Sequence, residues 1–164
     1  MTLLPPEEAI QTATEAALKS VCQKSKRGAV IFMDPTPYST ESRNPLLIAS
    51  GFNQLPIGNC SGSPECRKFC GRRCVHAEQD AIIEAMAVTD GSMRFCILLH
   101  IKVVDGVAVP GGGPSCLECS KLILHSGIMG VWLWENKPAG PEWVYRTAEQ
   151  FNRATLENLG LPTT

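Results

Sequence analysis

What this chain lacks narrows it first. It has no surplus of charge: 15 Lys and Arg stand against 16 Asp and Glu, for a formal net charge of −1. Proteins that hold polyanions draw on many phosphate contacts and usually carry a basic excess, so nucleic acid is disfavoured as a partner. It has no long hydrophobic run either. The most apolar stretch, "FCILLHIKVV", is broken by His100 and Lys102. It reads as a buried strand, far short of the roughly 20 residues a membrane span needs, so no membrane partner is expected. The opening "MTLLPPEEAI" has neither a basic segment nor an apolar core, so no secretory signal is expected and the setting is cytoplasmic. No repeat, low-complexity tract or linker interrupts the chain. At 164 residues, 44% hydrophobic and 19% charged, it is expected to fold as one domain over 1–164.

Cysteine, by contrast, is plentiful. Eight cysteines in a chain expected in a reducing compartment call for a role other than disulfides, and metal binding is the first candidate. Cys60, Cys66, Cys70 and Cys74 lie together as C-x5-C-x3-C-x3-C, and Cys116 and Cys119 form a C-x-x-C. A four-thiolate structural site at 60–74 would pin a segment with little core of its own. The alternatives are free thiols, or three of the four binding beside another residue. Cys22 and Cys96 sit in apolar helix and strand patterns and read as small buried hydrophobes.

The coarse order is helix, two strands, helix, strand, helix, strand, helix. "PPEEAIQTATEAALKSVCQKS" carries early proline and acids and a late lysine, the marks of a helix. "GAVIFMD" and "LLIASGFN" read as strands joined by the polar loop "PTPYSTESRNP". Residues 54–73 read as a loop, then a helix begins near Cys74. "RFCILLHIKVV" is a strand, "PGGGPS" a breaker, and "CLECSKLILHSG" a helix ended by Gly127. "MGVWLWE" is a strand, "NKPAGPE" a loop, and "YRTAEQFNRATLENLG" a last helix. Alternating strands and helices imply an α/β sheet layered by helices, with ligands collecting where strand ends meet helix N-termini.

Within "CVHAEQDAI" (74–82) the His76–Glu78 spacing of two suits no helix face, since about 100° per residue sends the two apart. At a helix start, however, first-turn side chains can reach past the tip and converge. Cys116 and Cys119 fall at a second helix start, at i and i+3. His76, Cys116 and Cys119 then suit a zinc ion, with one tetrahedral position left open, the catalytic pattern. Glu78 would stand beside the water as proton shuttle. The rival reading joins Cys116 and Cys119 to Cys60–Cys74 as a zinc ribbon.

"HAE" followed by "PSCLEC" resembles the H-x-E…P-C-x-x-C signature of the cytidine-deaminase-like superfamily. "SGFNQLPIG" ahead of a cysteine-bearing loop is similar to the deoxycytidylate deaminase branch, as is "SKLILHSGIMGVWLWE". The resemblance implies a three-layer α/β/α fold with a mixed central sheet, a cysteine-rich insert at 54–74, and self-association as a homo-oligomer. It implies hydrolytic deamination of a cytosine-type nucleotide, deoxycytidylate first, with zinc-activated water as nucleophile. It implies that backbone at Ala77 and the side chain of Asn53 hold base or sugar. A second, structural zinc in the insert is also part of the pattern. One residue departs from it: Ser115 separates Pro114 from Cys116, which leaves the ligand spacing intact but alters the loop over the metal and the leaving amine, where substrate is chosen. "GFNQ" lacks the second glycine of "GYNG", so effector control is not implied.

Arg67, Lys68, Arg72 and Arg73 interleave with the insert cysteines, either as a solvated face or as phosphate ligands. They are the only support for a second reading, a deaminase acting on a base in DNA or RNA; a deaminase of another amino-heterocycle is a further alternative. A third is a non-catalytic zinc-stabilised binding module. Trp132, Trp134 and Trp143 read as core or interface anchors, and His100 and His125 as ordinary strand and helix residues.

Overall fold

The structure is a computed structural model, and it describes residues 4–33 and 44–163. In chain order its elements are α1 (Glu7–Leu18), β1 (Lys26–Met33), β2 (Leu46–Phe52), α2 (Pro64–Arg73), α3 (Ala77–Val88), β3 (Cys96–Val104), β4 (Val107–Val109), α4 (Leu117–Ser126), β5 (Gly130–Lys137), β6 (Gly140–Thr147) and α5 (Ala148–Asn158). Most of the proline-rich β1–β2 connection expected at 35–45 lies outside the described residues.

The sheet runs β2-β1-β3-β5-β6, with short β4 paired to β3. β3 and β5 are parallel and every other pair is antiparallel, so the sheet is mixed. A parallel pair needs a crossover, and α4 supplies it between β3 and β5. Alternation along the strands sends residues to two cores. Ala29, Ile31, Leu98, Val131 and Leu133 pack under α3, α4 and α5. Val30, Phe32, Ile97, Leu99 and Trp132 pack under α1. The result is the expected three-layer arrangement.

Two glycines let helices approach. A Cβ on Gly28 would clash with the Ala13 carbonyl and lie 2.7 Å from the Ala17 amide in α1. One on Gly51 would clash with the Ala81 amide and lie 2.7 Å from the Ala77 carbonyl in α3. Both positions therefore need glycine for space.

Three local expectations change. Residues 64–73 form a helix, not a loop. Ser63 Oγ caps it by accepting from the Cys66 N–H at 3.1 Å, Pro64 opens it, and Arg72 and Arg73 occupy its last turn. None of its residues is buried, which is why no apolar periodicity announced it. The "NKPAGPE" loop shrinks to a tight turn, and 140–147 form edge strand β6. There Trp143 stacks on Trp134 with ring centroids 5.7 Å apart, and Tyr145 lies against Trp132 at 5.2 Å. The last helix consequently begins at Ala148, where Thr147 Oγ1 and Gln150 form a capping box. Finally, Cys22 falls beyond the end of α1, although it is buried as expected.

Candidate active site

β2 and α3 are sutured where the site begins. Gln54 and Val75 exchange backbone hydrogen bonds of 3.1 and 2.8 Å. The Asp80 carboxylate accepts from the Phe52 N–H at 3.0 Å and from Gln54 Nε2 at 3.1 Å. His76 is the N-cap of α3, with extended backbone (φ −80°, ψ 156°), and its N–H donates to Gln79 Oε1 at 2.9 Å. Because Gln79 satisfies that donor, the His76 ring is free to project off the helix tip. Glu78, already helical, hangs down toward the sheet. The cap residue and the second helical residue thus point to one space, which accounts for the spacing of two.

Cys116 is the N-cap of α4, and here its own side chain does the capping, Sγ accepting from the Cys119 N–H at 3.4 Å. α5 braces this end of α4. Asn158 Nδ2 donates to the Pro114 carbonyl at 2.7 Å, and Asn152 Nδ2 to Ser120 Oγ at 2.7 Å. His76 Nδ1 lies 3.2 Å from Cys119 Sγ. Among the described residues, His76, Cys116 and Cys119 are the group whose three metal-type donors all lie within 4.8 Å of one another. One imidazole nitrogen and two sulfurs at that separation fit a zinc ion.

The electrostatics suit a cation. The Cys119 hydrogen bond and the His76 ring pull Cys116 down to about 4 against its burial, so it is a thiolate. Its negative sulfur, by the hydrogen bond to it, and burial push Cys119 up. The hydrogen bond to Cys116 raises His76. Three donors share protons that a metal would displace. Below them, His100 Nε2 stands 3.8 Å from Glu78 Oε1, both side chains nearly enclosed. Burial lowers His100, with the Glu78 carboxylate working the other way. Burial works to raise Glu78, but His100, the Glu78 amide and His76 bring it net down, to the carboxylate.

These groups line a cavity of about 320 Å³. Of the expected substrate contacts, Asn53, Ala77 and Ser115 all line it. Asn53 is buried and has a second duty. Its Oδ1 accepts from the Arg27 N–H at 2.7 Å and its Nδ2 donates to the Ser25 carbonyl at 2.8 Å, clamping the start of β1. Arg67, Lys68, Arg72 and Arg73 do not line the cavity and are exposed on α2; from that region Cys70, Gly71 and Cys74 do.

No family model matches the sequence, and no curated protein does. Solved structures do. The dCMP deaminase from cyanophage S-TIM5, in complex with dCMP and dUMP, matches with a TM-score of 0.56 at 22% identity, over 97% of this chain and 96% of that one. The same enzyme in apo form matches with a TM-score of 0.50 at 25% identity, over 76% of this chain and 78% of that one. Cytidine deaminase from Burkholderia pseudomallei matches with a TM-score of 0.54 at 17% identity, over 90% and 96%. The chain has the cytidine-deaminase-like fold.

Two features of this deaminase-like chain escaped the sequence reading. His100, taken as an ordinary strand residue, faces Glu78, and Arg27 lines the cavity beside it. The register explains both. Arg27 pairs with Lys102 and Ala29 with His100, so Arg27 and His100 are diagonal neighbours on the sheet face beneath α3. No local pattern could have paired them. Cys22 is the other. Burial works to raise its pKa, but the Ser25 and Lys24 backbone and the Cys60 and Cys70 thiols bring it net down, and the adjacent Gln23 N–H donates to Cys60 Sγ at 3.3 Å. Cys60 and Cys66 sulfurs are 3.7 Å apart, and Cys70 and Cys74 sulfurs 3.5 Å. Burial and the Cys70 sulfur push Cys74 up to about 12.

Proposed function

We propose that this protein is a zinc-dependent hydrolytic deaminase of a free cytosine-type nucleotide, with deoxycytidylate as the first substrate to test. One observation carries the reading: His76, Cys116 and Cys119 converge from two helix tips into a cavity that also holds Glu78. The fold supports it, and the cyanophage enzyme of similar fold was captured with dCMP and dUMP.

His76, Cys116 and Cys119 would hold the zinc. When bound there, zinc supplies the Lewis acidity that makes water a nucleophile at neutral pH. Glu78 does the proton work. Its carboxylate takes a proton from the attacking water as the oxygen bonds to the amine-bearing ring carbon, and passes it to the adjacent ring nitrogen. It then carries the remaining hydroxyl proton to the amine nitrogen, so that the C–N bond breaks with loss of ammonia and the ring keeps a carbonyl. His100 stands on the sheet side of that carboxylate, 3.8 Å away. Ala77, buried at the start of α3, offers backbone to the base edge, and Asn53 keeps the β1 end in register with it.

The thiols around α2 would hold a second, structural zinc, drawn from Cys60, Cys66, Cys70 and Cys74 together with Cys22. A ten-residue helix that buries none of its residues has little else to keep it in place. Two sulfurs on one tetrahedral zinc stand about 3.8 Å apart, given bonds of about 2.3 Å. The sulfur separations of 3.5 Å for Cys70–Cys74 and 3.7 Å for Cys60–Cys66 are of that size, although no three of these sulfurs lie within 4.8 Å of one another. Self-association, which the resemblance implies, is read by sedimentation at tens of micromolar, where a monomer would refute it.

The test is ammonia release by zinc-loaded protein from deoxycytidylate, cytidylate, deoxycytidine, 5-methyl analogues, guanine, adenosine and a single-stranded oligonucleotide, with Glu78→Gln as control. Release from one small cytosine compound, lost in the control, is expected. Release from the oligonucleotide alone would move the substrate to nucleic acid. Silence across the panel from a zinc-loaded protein would refute the enzyme reading.

A further inference from the structure

Arg27 is an unusual residue to find at the floor of this cavity. Its backbone is held on both sides by Asn53, at 2.7 and 3.2 Å, so its position is set independently of its side chain. Among the described residues the guanidinium makes one long contact, Nε to Ser25 Oγ at 3.4 Å. No carboxylate lies within ion-pair distance of it among the described residues. Burial depresses its pKa, while Glu78 across the cavity opposes that. A half-buried guanidinium with no carboxylate in ion-pair contact leaves a planar fork of donors in the lining of the cavity.

The charges around the cavity point the same way. Lys24 and Arg27 line it, and among the described residues Glu78 is the one carboxylate that does. Two thiolates would neutralise a divalent ion at the other wall, which leaves the cationic groups one ahead. A neutral carbonyl would leave that excess standing; a phosphate monoester would satisfy it and match the fork with two parallel hydrogen bonds.

We propose that Arg27, with Lys24 exposed at the rim, selects a substrate bearing a phosphate monoester. The substrate's charge is then read from the α1–β1 segment and not from the basic face of α2. This rests on the deaminase reading for the identity of the rest of the substrate.

The experiment compares kcat/KM for deoxycytidylate with that for deoxycytidine in zinc-loaded wild type, Arg27→Met, Arg27→Lys and Arg72→Ala plus Arg73→Ala. Losing one charge-assisted bidentate contact is expected to lower the phosphate preference by about 30-fold in Arg27→Met, chiefly through KM. Arg27→Lys keeps the half-buried charge but loses the fork; about a tenfold loss is expected. The α2 double variant is expected to keep the wild-type ratio. A ratio unchanged in Arg27→Lys, or a fall in the α2 variant instead, overturns the proposal. Calorimetry with inorganic phosphate separates this from the parent reading. If no cytosine compound releases ammonia, the deaminase reading falls. Phosphate binding that weakens tenfold or more in Arg27→Lys still supports Arg27, and binding indifferent to it overturns the assignment.

Discussion

Gly51→Ala tests the link between packing and the site. The added Cβ would sit 2.7 Å from the Ala77 carbonyl and 2.8 Å from the Asp80 carbonyl carbon, where ordinary contact begins at 3.4 Å. Backbone atoms on a helix cannot swing aside, and the Ala81 amide is nearer still, so α3 must retreat from β2 by at least about 0.7 Å, the difference between 3.4 and 2.7 Å. That retreat stretches the Asp80 hydrogen bonds of 3.0 and 3.1 Å past useful length. Overpacking of this kind costs about 1–3 kcal/mol, and a weakened charge-assisted bond adds to it, so about 3 kcal/mol is expected. For a chain of this size that lowers Tm by roughly 6–12 °C, read by circular dichroism. Since His76 and Glu78 ride on α3, a displacement of almost 1 Å also lowers ammonia release by about 100-fold. Gly71→Ala is the control: nothing lies near its added Cβ, and alanine suits a helix interior better by about 0.5–1 kcal/mol. A Gly51→Ala protein melting within 2 °C of wild type would refute the reasoning.

Other consequences can be checked alongside. Buried Glu135 accepts from Arg146 Nη2 at 3.0 Å and pairs with Lys137 Nζ at 2.8 Å, and these cations lower its pKa against the burial that would raise it. Its folded pKa lies below the unfolded value of about 4.3, so its stabilisation is present above that pH and is lost as pH falls through the folded value. Glu135→Gln should therefore cost about 2–3 kcal/mol at pH 7 and flatten the acid limb of a stability–pH curve; an unchanged acid limb would contradict the sign. Asn53→Ala strands the Arg27 amide and the Ser25 carbonyl and should destabilise by about 2–4 kcal/mol in denaturant titration, with a loss below 1 counting against the clamp. Cys119→Ala should remove one zinc per chain by metal analysis while leaving α2 protected from hydrogen exchange. Cys70→Ser plus Cys74→Ser should remove the other and expose 64–73; equal metal content in both variants would sink the two-site assignment.

Helices α3 and α4 were legible because their signals are local. An N-cap, an apolar stripe and a terminal glycine such as Gly127, whose φ is +83°, lie within a few residues of one another. α2 was illegible for the opposite reason: it buries nothing, so its capping signals had no periodicity to attach to. Strand β6 was hidden by Pro141 at its start, tolerated only because the strand is at the sheet edge. Its partner, Trp134 for Trp143, becomes visible once the two strands are paired.

By itself the sequence determined which chemistry the molecule can carry: ligand types, their spacing at two helix starts, and a carboxylate two residues from the histidine. Those are short-range facts, since first-turn geometry is set by three or four consecutive residues. Tertiary structure alone decided what stands opposite them. Strand register placed His100 under Glu78 and Arg27 beside His100, and chain reversal after α1 brought Cys22 to the insert thiols. A one-residue slip between β1 and β3 would turn Arg27 to the other face of the sheet, because side chains alternate with a period of two. That register is held by the cores on both faces, a property of the whole chain and of no segment within it.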